Sequence, residues 1–223
     1  MKRITTLGIL AFSVAFSPAT AAEDSWYLSL NAGTNISMDA NVDVASIPGV
    51  EFETSQDSGS VLTGAVGYSF PSGIRLEAEM SSRKNDYQDI TVTAATTLIG
   101  AALSAKTALS GKVSTTGFMA NAALDFKNDS RVQPFVMGGL GMAKVTIDNA
   151  TAASTVLVND EDYVFAFQFG GGVDVIATEN VSLGLQYRFF GSTDPEFIGT
   201  DTTTELTTEN LHHSFMAGFT YRF

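Results

Sequence analysis

The sequence ends in Leu211-His212-His213-Ser214-Phe215-Met216-Ala217-Gly218-Phe219-Thr220-Tyr221-Arg222-Phe223. Taken by alternate residues, His213, Phe215, Ala217, Phe219, Tyr221 and Phe223 form one set, four of the six aromatic. His212, Ser214, Met216, Gly218, Thr220 and Arg222 form the other, small or polar apart from Met216. Successive side chains of a strand point to opposite faces, so the stretch reads as a strand with one apolar and one wet face. An aromatic end on a two-faced strand is unlike the frayed, polar end of a soluble chain. It points to lipid outside the sheet.

The other end supports export. Lys2 and Arg3 precede the mostly apolar run Ile4 to Phe16, Pro18 breaks it, and Ala19-Thr20-Ala21 offers small residues for cleavage before Ala22. Residues 1–21 therefore read as a signal peptide, and residues 22–223 as one domain. The run is too short to cross a bilayer. The formal net charge of −12 becomes −14 when the two charges of Lys2 and Arg3 leave with the leader. So acidic a chain is repelled by nucleic acid. There is no cysteine, which excludes disulfides and thiolate metal sites. No later run is long and apolar enough for a spanning helix, and lipid tolerates a sheet only when it is closed.

Eight alternating segments follow: Trp26 to Thr34, Ser60 to Phe70, Ile74 to Ser82, Lys112 to Phe126, Val132 to Val145, Tyr163 to Ile176, Val181 to Phe190 and Leu211 to Phe223. The links between them alternate long and short, the short ones lying at Pro71, Asn128 and Glu179. This is the pattern of an all-β, eight-stranded antiparallel transmembrane β-barrel with four long external loops and three short periplasmic turns. A soluble eight-stranded barrel would have to hold the bulky aromatic set inside a narrow lumen, which cannot accommodate it. By phase, Arg75, Glu77, Glu79, Asp125, Asp174, Arg188 and Arg222 face inward, with Asn121, Gln168 and Gln186. Charges in such an interior persist only if paired, so these seven predict an ion-pair network plugging the barrel; a small ion path is the sharper alternative.

The loops divide by charge. The first carries Asp39, Asp43, Glu51, Glu53 and Asp57; the third Asp148, Asp160, Glu161 and Asp162; the fourth Asp194, Glu196, Asp201, Glu205 and Glu209. Such loops keep a surface soluble, or else contact a divalent cation or a host ligand; no EF-hand spacing occurs, so no metal site is assigned. The second loop is nearly uncharged from Thr91 to Leu109, and Ala94 to Leu109 fits either a short helix at the barrel mouth or a strand-extending loop. An apolar segment there would favour self-association or contact with lipopolysaccharide. Gly170-Gly171-Gly172 lies mid-strand and precedes no helix, so it is no phosphate loop.

Gly218, Tyr221 and Phe223 match the terminal signal of bacterial outer-membrane barrels, with Met216 where a polar residue is usual. Tyr187-Arg188-Phe189-Phe190-Gly191 and Pro134-Phe135-Val136-Met137-Gly138-Gly139-Leu140-Gly141 resemble strand motifs of the opacity-type surface-antigen family, relatives of the OmpA-like and OmpX-like barrels. The resemblance covers essentially the whole mature chain. It implies the outer membrane of a Gram-negative cell, contact with its lipid and lipopolysaccharide, insertion by the barrel assembly machinery, and a surface structural or adhesion role through the loops toward a host or cell-surface ligand. It implies no cofactor and no catalysis. A small porin-like diffusion channel is the alternative. His212 and Ser214 have a His-x-Ser spacing similar to that of outer-membrane lipid A deacylases, but Phe215 stands in place of that family's Asn and the phase turns both residues inward.

Overall fold

The computed structural model describes residues 24–38, 40–44, 52–92, 96–98, 101–103, 106–152, 154–201 and 203–223. The leader expected at residues 1–21 lies outside them. Eight long strands form the wall: β1 (Ser25–Ser37), β2 (Gly59–Ser69), β3 (Ile74–Val92), β4 (Lys106–Asp125), β5 (Val132–Ala152), β6 (Thr155–Ile176), β7 (Val181–Ser192) and β8 (Leu211–Arg222). Each pairs antiparallel with its neighbours in sequence, and β1 also pairs with β8, from Tyr27 opposite Arg222 to Ser37 opposite His212. Closure leaves this sheet no free edge.

The short turns have local causes. Gly73 adopts φ +87°, which a side chain would oppose. Asn128 holds the next turn by accepting from the Ser130 backbone N–H (2.8 Å) and donating to the carbonyl of Val132 (3.0 Å).

The alternation places side chains as its phase predicts. Trp26, Leu28, Leu30, Leu62, Phe118, Leu140, Phe169, Leu185 and Phe215 point outward and are exposed. Aromatic rings gather at both margins of this band. Trp26, Tyr68 and Phe70 pack edge to face at 5.2 and 4.9 Å near the short turns, and Tyr187, His213 and Phe215 meet near the opposite end. Apolar faces rimmed by aromatics are what a barrel presents to a bilayer.

Four strands run well past the lengths expected from the sequence. β3 continues from Ser82 to Val92, β4 begins at Lys106 rather than Lys112, β5 reaches Ala152 and β6 starts at Thr155. The third loop, expected from Thr146 to Asp162, is instead almost wholly strand. In the second, Thr96–Leu98 and Ala101–Leu103 pair as a small hairpin, so strand replaces the helical alternative among the described residues.

The cause is a change of medium. Beyond the lipid band the outside of the wall is wet, and the apolar face turns inward. On β5, Val132, Val136, Leu140 and Met142 point out, whereas farther along Ala143, Val145 and Ile147 point in. The period of two holds through Ile147 while the apolar phase inverts.

The extension closes on itself. Phe52–Gln56 pairs with the outer end of β3, Ala40–Val44 with Phe52–Gln56, Glu205–Thr208 with Ala40–Val44, and Glu196–Ile198 with Glu205–Thr208. Val158 of β6 bridges to Gly199, and the Thr200 backbone N–H donates to the Leu157 carbonyl (2.9 Å). Segments of the first and fourth loops thus stand in for β1, β2, β7 and β8 above the point where those strands stop. Val113, Val145, Ile147, Val164, Phe197 and Leu206 belong to the apolar core enclosed there.

Candidate functional site

The lumen is the first place to look for chemistry, because its polar residues lie between an apolar outer band and an apolar upper core. Nearest the short turns, Arg75 reaches Asp125 (3.0 Å) and Asp174 (3.4 Å) from β3, with its guanidinium 4.8 Å from the centre of the Phe135 ring. Arg222 donates to Ser182 Oγ (2.6 Å) and lies within electrostatic reach of both aspartates. One layer up, the Tyr27 hydroxyl donates to Glu77 (2.6 Å), and Asn121 donates to Glu77 and Glu79 (3.4 and 3.3 Å). Arg188 Nη1 meets both oxygens of Glu79 at 2.7 and 2.6 Å. Gln168 donates to Glu79 (3.1 Å) and to Asn121 Oδ1 (2.7 Å), while Arg188 Nη2 donates to Gln186 (2.9 Å).

The seven charged residues of the inward phase therefore fall into two layers. Arg75, Asp125, Asp174 and Arg222 gather in the lower one, and Glu79 pairs with Arg188 in the upper one. Glu77 contacts Tyr27 and Asn121. Glu79 and Arg188 are nearly sealed, with side chains 1% and 2% exposed. At this burial a charge pair depends on the hydrogen bonds around it, which Gln168, Asn121 and Gln186 supply everywhere but at Arg188 Nε.

A third layer lies above, where His212 and Ser214 of the eighth strand meet residues that the sequence alone places in loops. Asn35 donates to Asn85 (2.6 Å), accepts from Ser214 (2.9 Å) and contacts His212 Nδ1 (3.2 Å). His212 Nε2 meets Asn210 (2.7 Å), which donates to Ser192 (3.0 Å). Asn85 also donates to the Asp57 carbonyl (2.9 Å), tying the first loop to the rim. Arg83 is buried over the Phe190 ring, 3.9 Å from its centre. The signal for it was present: Arg75, Glu77, Glu79, Ser81, Arg83 and Asn85 continue one alternation.

A scan against known families matches residues 5–223 to the outer membrane protein beta-barrel domain. The chain belongs to this family. It is 22% identical, over the full length of both chains, to outer membrane protein PagN of Salmonella typhimurium. Among solved structures it is similar to the outer membrane protein OprG of Pseudomonas aeruginosa, with TM-score 0.60 and 16% identity over 92% of this chain and 98% of that one. It is also similar to Neisserial surface protein A, with TM-score 0.52 and 18% identity over 90% and 99%. The protein is an integral β-barrel of the Gram-negative outer membrane, and its apolar band faces the lipid of that membrane.

Membership fixes the orientation, since barrels of this membrane keep short turns in the periplasm and long loops outside. The closed extension is therefore extracellular. Several of its acids have structural partners. Asp160 and Asp162 accept from the backbone N–H groups of Ile198 (2.9 Å) and Glu196 (3.0 Å), fastening the fourth loop to β6. Glu161 pairs with Lys144 at 2.5 Å. Asp201 accepts from the Thr203 and Thr204 backbones and the Thr204 hydroxyl, and these bonds hold its carboxyl down to about 2. Among the described residues no three His, Asp or Glu side chains are placed to hold a metal ion.

Ser214 donates to Asn35 rather than to His212, and both His212 nitrogens are engaged by Asn35 and Asn210. The two side chains share the lumen without forming a nucleophile–base contact.

Of the terminal trio, Gly218 faces Asn31, whose carboxamide occupies the space a Cβ would need. Tyr221 and Phe223 point to lipid, packed edge to face at 5.2 Å.

Proposed function

We propose that this protein is a plugged barrel that works through its extracellular extension, as a surface structural and adhesion protein. The observation carrying this reading is the closed extension: its interior is apolar, its loops are hydrogen-bonded to one another, and its contacts with anything outside the cell must be made from its outer surface. The hairpin Thr96–Leu98 and Ala101–Leu103, reached through β3 and β4, supplies an uncharged tip on an otherwise acidic structure. In this reading the seven lumen charges are structural, and Gly218, Tyr221 and Phe223 present the last strand to the assembly machinery. Similarity to a protein named for the neisserial surface agrees with this placement.

The tip can be removed with little disturbance. Thr91 and Lys106 are already cross-strand partners, so an Asn-Gly turn can replace residues 92–105. Cells displaying this variant are expected to lose attachment to host cells while its barrel still reaches the surface. Unchanged attachment at equal display would move the contact away from the tip.

The plug has its own test. Refolded protein inserted in a planar bilayer is expected to pass no discrete current, because paired side chains fill the lumen and an apolar core covers its outer end. Reproducible conductance steps that change in Arg188 or Glu77 variants would overturn the plug and establish the diffusion channel.

A further inference from the structure

We propose that Arg83 is the centre of a buried binding site for a small inorganic anion such as chloride, at the junction of the polar lumen and the apolar extension. Arg83 is 1% exposed. Its Nη1 donates to Ser81 Oγ (2.8 Å), and its guanidinium lies on Phe190, yet Nε and Nη2 meet no acceptor among the described residues. Thr115, its cross-strand partner on β4, is equally buried and its hydroxyl is also unmatched. Arg188, two residues before Phe190 on β7 and within electrostatic reach of Arg83, has an unmatched Nε.

Charge and donor count point the same way. A guanidinium cannot escape burial by losing its proton. Glu79 is an acid within electrostatic reach of Arg83, and both of its oxygens are held by Arg188. Among the described residues, two cations thus share one anion at this level. Glu77 is six residues down β3, roughly 20 Å along the strand, and is held by Tyr27 and Asn121. The Phe190 ring face offsets part of the excess, but it gives the N–H groups no acceptor. Guanidinium donors with a hydroxyl beside them fit an acceptor-only, negatively charged guest, and the narrow lumen restricts it to a monatomic or similarly small ion.

Crystals of the barrel grown in sodium bromide test this directly. The expected result is an anomalous peak bridging Arg83 and Thr115 in the wild type and none in Arg83→Met. In parallel, the melting temperature of the refolded protein is expected to be higher in sodium chloride than in sodium gluconate at equal ionic strength. That difference should vanish in Arg83→Met and shrink in Thr115→Val. Should Arg83→Met fail to fold, the wild-type bromide map and Thr115→Val decide. Water alone at the site, or an equal chloride shift in wild type and variants, would overturn the proposal.

Discussion

Replacing Arg188 with alanine is expected to destabilise the folded barrel by about 3–5 kcal/mol, the range for removing one partner of a buried ion pair. The cost comes from what remains. Glu79 would stay buried, with Gln168 and Asn121 donating neutral hydrogen bonds and no cation in contact. Arg83 is the next cation within electrostatic reach of Glu79, and its approach would hold the loss toward the lower end of the range. Urea titration of protein refolded into detergent micelles reads this as a lower midpoint. The pair term follows from adding Glu79→Ala. The double variant should lose clearly less than the sum of the two singles, because neither charge is then stranded. A midpoint for Arg188→Ala equal to wild type would mean that the lumen layers do not hold the barrel together.

The barrel was legible because one rule, alternation at period two, acts within a single solvent. From Ile74 to Ser82 that rule places every charge inward and every apolar residue outward. The same rule continues to Asn85, but the lipid-facing residues end at Met80, so nothing outward marks Arg83 as a strand residue. Where the outer medium becomes water, an apolar residue on an unchanged strand must lie inside, as Val145 and Ile147 do. A reader looking for outward grease sees only polar outward positions there, such as Thr146 and Asp148, and infers a loop. Other features had no local signal. Ala40–Val44 pairs with Glu205–Thr208, and Asn35 meets Asn85 and His212, through contacts between residues far apart in the chain. Nothing in either segment specifies its partner. The acids of the third and fourth loops looked like solvating charge; the carboxylates of Asp160 and Asp162 instead bind backbone N–H groups.

The lipid-facing band yields the second large effect. Leu185→Arg is expected to destabilise the inserted barrel by about 2–4 kcal/mol, the cost of a cationic side chain on the lipid face at the bilayer midplane. Leu185 is 63% exposed and lies opposite Ala217 of β8, midway between His213 at the outer aromatic margin and Tyr221 at the inner one. In a water-filled setting the same exposure would make arginine nearly harmless, within about 0.5 kcal/mol, since no packing is lost and the charge is solvated. The size of the effect therefore reports the solvent rather than the contacts. Ala108→Arg is the matched control. Ala108 is also exposed on a strand of the same wall, but on the extracellular part of β4, opposite Asp89. In lipid vesicles Leu185→Arg should lower the unfolding midpoint and Ala108→Arg should leave it near wild type. Equal, small effects at both positions would mean that water covers Leu185, and the lipid boundary would then have to be drawn elsewhere on the wall.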